Sequence, residues 1–479
     1  MKEEKYQDPF TDRYASEQML RLFSSLHQAK VWRALWIALA KTQKDLGLNI
    51  TRQQIDDLKK FKEDIDFCAI EKYEKQTRHD CFAHILAYGE QAKLAKPILH
   101  LGATSCFVKD NADLIIFRDA LQLIKVRLLQ TMQNLSEFAF KYKDLPTLGW
   151  THLQPAQLTT VGKRAALWLY DLKCDYDLVC QTISSLKLRG AKGTTGTQAS
   201  FLELFNGDEK KVNRLDRQLA NEFEFDGVYP LTGQTYSRKV DYQILCCLSS
   251  IAQSASKFGC DLRLLMSLKE LEEPFEIDQI GSSAMAYKRN PMRSERLCSL
   301  ARFAISLPIN ASVTASTQWL ERTLDDSANR RISMTQGFLS VDSILNLYLD
   351  ITSNLVVYEK IIEKNIRAEL PFMVTENIIM QGVAQGGDRQ QLHEAIRKHS
   401  MESSKSIKLC GQPCDLIERL KSDVLFKKIL HKFDEILLPK NYTGMASVQT
   451  AEFINQVISP LLKDHEHVIR KTPKAKISI

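Results

Sequence analysis

Residues 111–145 read NADLIIFRDALQLIKVRLLQTMQNLSEFAFKYKDL and contain neither glycine nor proline. Residues 163–189 and 236–273 follow the same pattern, with a lone Gly259 in the latter. As helices rising 1.5 Å per residue, the three stretches would run about 40 to 57 Å. Helices of that length need partners along their whole length, so a long-helix bundle is predicted. Apolar residues recur at helical spacing along the first stretch, at Leu114, Ile115, Phe117, Leu121, Ile124, Leu128 and Leu129.

Shorter helices are predicted on both sides of the bundle. Helical patterns cover residues 16–46, 51–62 and 78–91, and the pattern shortens again after about residue 358. No sustained alternation of apolar and polar residues and no Asn-Gly turn occurs, so strands should be nearly absent. We therefore predict an all-α chain of three helical domains, at residues 1–104, 105–357 and 358–479. Long apolar stripes often extend into subunit contacts, so an oligomer is expected.

The composition is that of a soluble globular protein, with 44% hydrophobic and 26% charged residues. The net charge of +7 is modest and spread along the chain, whereas nucleic-acid binders concentrate basic residues on one face. The one dense basic run, residues 470–476, is expected to be a solvated tail. No nucleic-acid partner is predicted, and the mild positive charge suits a small polyanionic substrate.

The eleven cysteines are scattered along the chain. Cys410 and Cys414 form a suggestive pair, but a zinc site would need a second pair at suitable spacing. Free thiols and no metal are expected, which fits a reducing cytoplasm. The first five residues lack the apolar core of a secretory signal, and no membrane-spanning segment is predicted.

Residues 281–291 read GSSAMAYKRNP and interrupt the helical pattern with small residues, two hydroxyls, two cations and an amide. Such a segment can be a solvated surface turn. It can equally be a mobile loop that closes over an anion, because that function needs flexibility, positive charge and hydrogen-bond donors. The residues alone leave both interpretations open.

Two histidines stand in polar surroundings. His152, in TLGWTHLQPAQ at 147–157, is poorly explained by packing, and histidine is suited to protonating a departing nitrogen near neutral pH. His79 lies between Arg78 and Asp80, where it could cap a helix or bind a ligand. His84 follows five positions later, about 140° around a helix, so a shared metal is disfavoured.

Three further segments carry polar groups. Thr104 and Ser105 precede the first long helix as a turn or helix entry. Residues 190–198 have the glycines of a phosphate loop but lack its Gly-Lys-Ser/Thr ending and follow a helix. Residues 321–331 interleave arginines with acids and a serine, as in a solvated helix start or a phosphate site.

The 281–291 string resembles the signature loop of the fumarase/aspartase superfamily, and SSAMAYKRNPMRSE resembles its adenylosuccinate lyase branch. Ala286 stands where the signature usually has proline, which frees the backbone there. THLQPA at 151–156 resembles the second signature, and R-H-D at 78–80 resembles the substrate-binding histidine segment. The matching strings follow the family's order between positions 13 and 331.

The resemblance implies a three-domain, all-helical homotetramer whose active sites are each built from several subunits. Its reaction is a β-elimination that releases fumarate from an anionic nucleotide substrate, without a cofactor. In that scheme Ser282 is the base and His152 the acid, and His79, His152 and Ser282 come from different chains. The implied substrate-binding residues are Arg13, Tyr14, Arg78, His79, Asp80, Thr104, Ser105, Thr151, Gln234, Lys288, Asn290, Arg296, Arg322, Ser327 and Arg331.

Among these, Thr104 and Ser105 match contacts to the substrate carboxylates, and Arg13, Tyr14, Arg322, Ser327 and Arg331 match contacts to the nucleotide. Other superfamily lyases, such as argininosuccinate lyase or fumarase, have substrates without a phosphate, so the arginine cluster weighs against them. A non-catalytic helical scaffold is the other alternative. The presence of Ser282, His152 and Lys288 weighs against it.

Overall fold

The computed structural model describes residues 5–472. The predictions made for the extreme amino terminus and for most of the basic carboxy-terminal run therefore lie outside the described residues. Within the described range the chain is predominantly helical, which confirms the predicted all-α fold class.

Short helices form the amino-terminal part. The stretch predicted as one helix over residues 16–46 forms two helices. Ser24 lies between them and caps the second by accepting a hydrogen bond from the His27 backbone N–H at 3.2 Å. The elements are a π-helical turn at Phe10–Tyr14, α1 at Glu17–Leu22, α2 at Ser25–Asp45, α3 at Arg52–Lys60, α4 at Phe67–Thr77, α5 at Asp80–Gln91 and a 3₁₀ turn at Lys96–Ile98.

The predicted long helices are present, with ends within six residues of those expected. The central elements are α6 at Ser105–Lys141, β1 at Pro146–Thr151, β2 at Gln154–Thr160, α7 at Val161–Ser185, α8 at Ala199–Leu204, α9 at Glu209–Glu222, α10 at Lys239–Ser267, β3 at Leu271–Glu272, α11 at Met292–Ser306, α12 at Pro308–Ser316, α13 at Asp326–Ser353 and β4 at Val356–Val357.

The helices α6, α10 and α13 begin at the same end of the bundle. The buried Arg238, just before α10, bonds Asp110 of α6 at 3.2 Å and Asp326 of α13 at 2.8 Å. We call this the amino end of the bundle, and the end where α6, α10 and α13 finish the carboxyl end. The helices α7 and α11 run the opposite way: α11 begins beside the last turns of α13, where Arg293 bonds Asp350 at 2.6 Å.

Within residues 5–472, four short strands form two antiparallel pairs, β1 with β2 and β3 with β4. The hairpin β1–β2 was not anticipated, because its turn lacks the Asn-Gly pair that marks tight hairpins. Its turn residues are instead His152 and Leu153, both with left-handed backbone, at φ 53° and 56°. The expectation of almost no strands thus misses the element that carries a predicted catalytic histidine.

Shorter helices resume after β4. They are α14 at Glu359–Met373, α15 at Thr375–Ala384, α16 at Arg389–Cys410, α17 at Leu416–Ser422, α18 at Phe433–Ile436, α19 at Ala446–Phe453, α20 at Ser459–Asp464 and α21 at Glu466–Lys471. Irregular helical turns lie between them at Val424–Lys432, Pro439–Tyr442 and Ile454–Ile458.

One helical stretch among residues 5–472, Met292–Ser316, is long and apolar enough by composition to cross a membrane. It consists of α11 and α12. Helix α11 packs against α10 and α13 and buries Leu297, Cys298 and Ala301. A helix that lines the core of a globular bundle has the same length and composition, so this feature gives no separate indication of a membrane.

Two partly buried histidines should make the fold sensitive to mild acid. Burial lowers the pKa of His84 to about 4, with Arg33 adding to the effect, and burial lowers that of His100 to about 4 as well. Both rings are therefore neutral in the folded chain at pH 5, whereas an unfolded chain takes up protons below about pH 6.5. Stability thus falls as pH falls from about 6.5 to 4, by about 2 kcal/mol per histidine at pH 5.

Denaturant unfolding at pH 7.5 and pH 5 measures this loss. Replacing His84 with leucine should remove about 2 kcal/mol of the pH-dependent difference. The exposed surface histidine His467 provides the control, since His467→Gln should leave the difference unchanged. An equal pH-dependent loss in native and His84→Leu chains would contradict the assignment.

Candidate active site

Most of the predicted site residues lie at two opposite ends of the bundle. The amino-end group holds Arg78, His79, Asp80, Thr104, Ser105, Gln234, Arg322, Ser327 and Arg331, and the carboxyl-end group holds Thr151, His152, Ser282, Lys288, Asn290 and Arg296. Arg13 and Tyr14 lie on the Phe10–Tyr14 turn, which packs beside the middle of α13. The flanking residues mark this position: Gln336 donates to Asp8 at 3.4 Å, and the Ser16 N–H donates to Asp342 at 2.6 Å.

A buried charge network fixes the amino end. Arg330 bonds Asp241 at 2.6 Å and Asp113 at 2.9 Å, and donates to the Tyr236 hydroxyl at 2.7 Å. Burial would raise the pKa of Asp110, but the facing guanidinium groups, Arg238 first, hold it below its usual value. Such a fully paired network is costly to disrupt, so it holds the starts of α6, α10 and α13 in one arrangement.

Gln234 connects three segments at this end. Its side-chain Nε2 donates to the Thr194 carbonyl at 3.0 Å, and its Oε1 accepts from the Cys106 thiol at 3.4 Å. Its backbone N–H donates to the Glu321 carbonyl at 3.0 Å. The predicted glutamine thus lies between the glycine-rich loop, the start of α6 and the arginine-rich segment. The first turn of α6 also presents backbone N–H groups, which favour an anion.

The glycine-rich segment 190–198 packs as a wall beside Gln234. A Cβ on Gly196 would lie 1.9 Å from the Thr232 carbonyl oxygen, so only glycine fits that approach. Lys192 forms a buried ion pair with Asp216 at 2.7 Å. The charge of Lys192 is therefore neutralised by Asp216, as expected for a segment that lines the site. The lysine of a triphosphate-binding loop would instead face the phosphates.

The R-H-D segment reaches the arginine cluster through Asp80. Its carboxylate accepts from Arg331 at 3.1 Å and from Lys109 at 2.7 Å. His79 caps α5, with its Nδ1 accepting from the Phe82 N–H at 3.1 Å, so the neutral ring carries its proton on Nε2. Lys109 was not predicted from the sequence; its position one turn after Ser105 on the same helix was the available signal.

The arginines of the cluster are held in different ways. Arg322 bonds Asp326 at 2.8 Å, and Asp326 is shared with Arg238, so the guanidinium of Arg322 is oriented by the buried network. Arg331 is 69% exposed and makes a single bond to Asp80. Ser327 is partly buried in the first turn of α13. Guanidinium forks and hydroxyls grouped at a helix start are suited to a phosphate.

His152 is exposed at the tip of the β1–β2 hairpin, at the carboxyl end. The left-handed backbone of His152 and Leu153 is uncommon for residues other than glycine or asparagine, and such strain is often found at functional sites. The hairpin base is fixed, because the Thr147 hydroxyl donates to the buried Glu270 at 3.4 Å and Arg164 donates to the Leu148 carbonyl at 2.6 Å.

The 281–291 segment forms a loop closed on itself. Asn290 donates its side-chain amide to the Gly281 carbonyl at 2.7 Å, and a Cβ on Gly281 would lie 1.9 Å from the Lys288 carbonyl oxygen. The Ser282 hydroxyl accepts from the N–H of Met285 at 3.1 Å and of Ala284 at 3.4 Å. Lys288 is exposed. Two backbone donors aimed at one hydroxyl oxygen favour its deprotonated form.

The loop is anchored where it enters α11. Buried Glu273 accepts from the backbone N–H groups of Arg293 at 2.9 Å and Ser294 at 2.8 Å, and from the Ser294 hydroxyl at 2.6 Å. Arg296 lies partly buried in the next turn. The loop therefore has a rigid exit and an exposed body, as a segment that moves over a ligand requires.

The two groups of predicted residues are far apart within one chain. Helix α13 spans Asp326–Ser353, from Arg322 at one end to the Arg293 contact at the other. At 1.5 Å per residue its 28 residues extend about 42 Å. A small substrate cannot touch both ends, so a site that uses both groups requires more than one chain.

No group of three or more His, Cys, Asp or Glu side chains that could hold a metal ion occurs within residues 5–472. All eleven cysteines lie in this range and are free thiols.

The sequence matches two family profiles, one described as Lyase over residues 2–305 and one described as Adenylosuccinate lyase C-terminus over residues 371–453. The chain is 50% identical to adenylosuccinate lyase of Saccharomyces cerevisiae over 461 residues, 96% of each chain. It is 50% identical to that of Schizosaccharomyces pombe and 44% identical to that of Schistosoma mansoni, over 97% of each chain.

Solved structures share the fold. A 3-carboxy-cis,cis-muconate lactonizing enzyme from Pseudomonas putida superposes with a TM-score of 0.81 at 22% identity, covering 96% of this chain and 99% of its own. A fumarate lyase from Mesorhizobium sp. BNC1 superposes with a TM-score of 0.78 at 21% identity, covering 94% and 99%.

Proposed function

This chain belongs to the adenylosuccinate lyase family, and we propose that it eliminates fumarate from adenylosuccinate to give AMP. The same reaction on succinylaminoimidazole carboxamide ribotide gives the carboxamide ribotide, so the enzyme acts in purine biosynthesis. The observation that carries the substrate assignment is the arginine cluster at the amino end. There Arg322 is oriented by the buried Asp326 and Arg331 is exposed, an arrangement suited to the phosphate that both substrates carry.

The chemistry begins with a proton beside a carboxylate. That proton is weakly acidic, so the carbanion must delocalise into the carboxylate as an aci-form dianion, which preorganised donors and a cation stabilise better than water does. We assign proton removal to Ser282, whose oxygen faces two backbone N–H groups. Lys288 and Asn290, on the same loop, supply charge and hydrogen bonds to the dianion when the loop closes.

The nitrogen leaves from the neighbouring carbon and needs a proton. His152 is the assigned donor, since imidazole exchanges protons near neutral pH. The strained turn presents its ring to solvent at the hairpin tip, where a partner chain's bound substrate can reach it. Thr151 and Arg296 complete the substrate contacts assigned at the carboxyl end, and no cofactor takes part.

We propose that the protein assembles as a homotetramer with active sites shared between subunits. The separation of the two residue groups supports this assembly, because neither end alone holds both the phosphate cluster and the reacting groups. Exposed apolar side chains on the central helices also support it; these include Leu167 and Tyr170 of α7 and Ile309 and Val313 of the short α12.

The remaining proposals concern organisation and location. Domain boundaries at residues 104 and 357 fall between elements, just before α6 and just before α14. A cytoplasmic location fits the free thiols, which a reducing compartment preserves.

Fumarate release from adenylosuccinate and from argininosuccinate, measured side by side with the native chain, tests the function. Turnover of adenylosuccinate with little or none of argininosuccinate is the expected result. Turnover of argininosuccinate alone would overturn the substrate assignment. A folded chain inert on both would favour a helical scaffold.

A further inference from the structure

We propose that Lys109 is a positioning residue that keeps Arg331 available for the substrate phosphate, an inference that rests on the proposed function. The Lys109 ammonium lies 2.7 Å from Oδ1 of Asp80, while Arg331 reaches the other oxygen, Oδ2, at 3.1 Å. The three side chains come from α6, α5 and α13. One carboxylate therefore joins three elements at the amino end of the bundle.

The geometry determines how Asp80 binds Arg331. A guanidinium can bond both oxygens of a carboxylate at once. If Asp80 had no other partner, Arg331 would therefore bind both of its oxygens. Here Oδ1 is already occupied by Lys109 and by the Cys81 backbone N–H at 2.7 Å. Arg331 consequently keeps one bond and remains 69% exposed. Its other guanidinium donors therefore remain accessible to a ligand.

The charges support the same conclusion. Two cations face one carboxylate, so the group as a whole is positive beside the predicted phosphate contacts. Lys109 and Asp80 are each 27% exposed, and the pair is therefore less screened by water than a surface ion pair. Burial would raise the pKa of Asp80, but Lys109, the Cys81 N–H and Arg331 hold it below its usual value. Asp80 is thus ionised at neutral pH and would capture Arg331 without Lys109.

Lys109 is also well placed for the substrate. It follows Ser105 by four residues on α6, so both lie on the same face of the helix. His79, the residue adjacent to Asp80, caps α5 and is half-exposed. A change at Lys109 should therefore reach Arg331, one of the residues matched to the nucleotide, through the Asp80 carboxylate that the two cations share.

Calorimetric titration of AMP into the full-length protein tests the proposal, because it reads phosphate-end binding without turnover. Lys109→Met should weaken AMP binding about tenfold, and Lys109→Arg should restore it to within about twofold. Lys125→Met, a lysine-to-methionine change farther along α6, is the matched control and should bind AMP as the native chain does.

Repeating the Lys109→Met substitution in a chain that lacks the Asp80 carboxylate tests whether Lys109 acts through that group. In an Asp80→Asn chain the group that captures Arg331 is gone, so adding Lys109→Met should cost less than about twofold in AMP affinity. An equal cost in the native and Asp80→Asn backgrounds, or no cost in either, overturns the role of Lys109. A native chain that binds no AMP and releases no fumarate overturns the proposed function instead, and this inference with it.

Discussion

Replacing Ser282 with alanine is expected to lower kcat for fumarate release at least about a hundredfold, the loss typical of removing a general base. The hydroxyl oxygen accepts two backbone N–H groups, from Ala284 and Met285, which stabilise its deprotonated form. The Asn290–Gly281 bond closes the loop independently of this side chain. Steady-state kinetics with adenylosuccinate measures the effect.

The neighbouring hydroxyl provides the control. Ser283 lies in the same loop and is exposed, so Ser283→Ala removes an equivalent group a single residue away. It should retain kcat to within about threefold, because it removes no assigned base. Comparable losses in the two variants would point to a general effect on the loop and contradict the assignment of Ser282.

Replacing His152 with asparagine is expected to reduce kcat about 10²- to 10⁴-fold with little change in KM, as for the loss of a general acid. Asparagine is chosen because it tolerates the left-handed backbone that His152 adopts at φ 53°, so the hairpin turn should be retained. The variant therefore separates loss of the imidazole from loss of the turn. Steady-state kinetics and circular dichroism would be measured together.

Leu153 is the matched position for this experiment. It occupies the second turn position, at φ 56°, and is exposed, so Leu153→Asn alters the same turn without removing the imidazole. Its kcat should stay within about threefold of the native value. A loss as large as that of His152→Asn would show that the hairpin shape, not the ring, limits the reaction.

The long helices could be predicted from the sequence because their apolar period is long and uninterrupted. Asn111–Leu145 was predicted and Ser105–Lys141 is observed. The helix begins at Ser105, six residues earlier than predicted. Thr104 is the last residue with extended backbone, and residues 106–108 are already buried in the core. The break at Ser24 was missed, since a serine inside a helical pattern is also common on an exposed face.

The hairpin could not be predicted, because its signal is conformational. His152 and Leu153 adopt backbone angles that their side chains do not favour, and no local rule points to a two-residue turn there. Motif resemblance nevertheless selected His152 by its neighbours. The structure adds that this residue lies at the carboxyl end, far from the phosphate cluster, and that information depends on the packing of α6, α7 and α10.

The candidate site was predicted as a set of residues, not as an arrangement. Spacing along the chain places Asp80 and Arg331 251 residues apart, yet they are in contact. It likewise gave no indication that Lys109 shares the same carboxylate. Such contacts follow from tertiary packing, whereas the residue types follow from the chemistry that a phosphate and a carboxylate require.

The central claim, that each active site combines the two bundle ends of different chains, is tested most directly by mixing two inactive variants. Ser282→Ala disables the carboxyl end, and His79→Asn disables the amino end while asparagine preserves the cap on α5. Differently tagged copies of the two variants would be co-expressed, and the mixed oligomers purified through both tags. If each site takes Ser282 from one chain and His79 from another, random assembly leaves about a quarter of the sites with both native residues. Activity should then return to about a quarter of the native value. Activity no greater than the average of the two variants alone would contradict the claim and place each site within one chain.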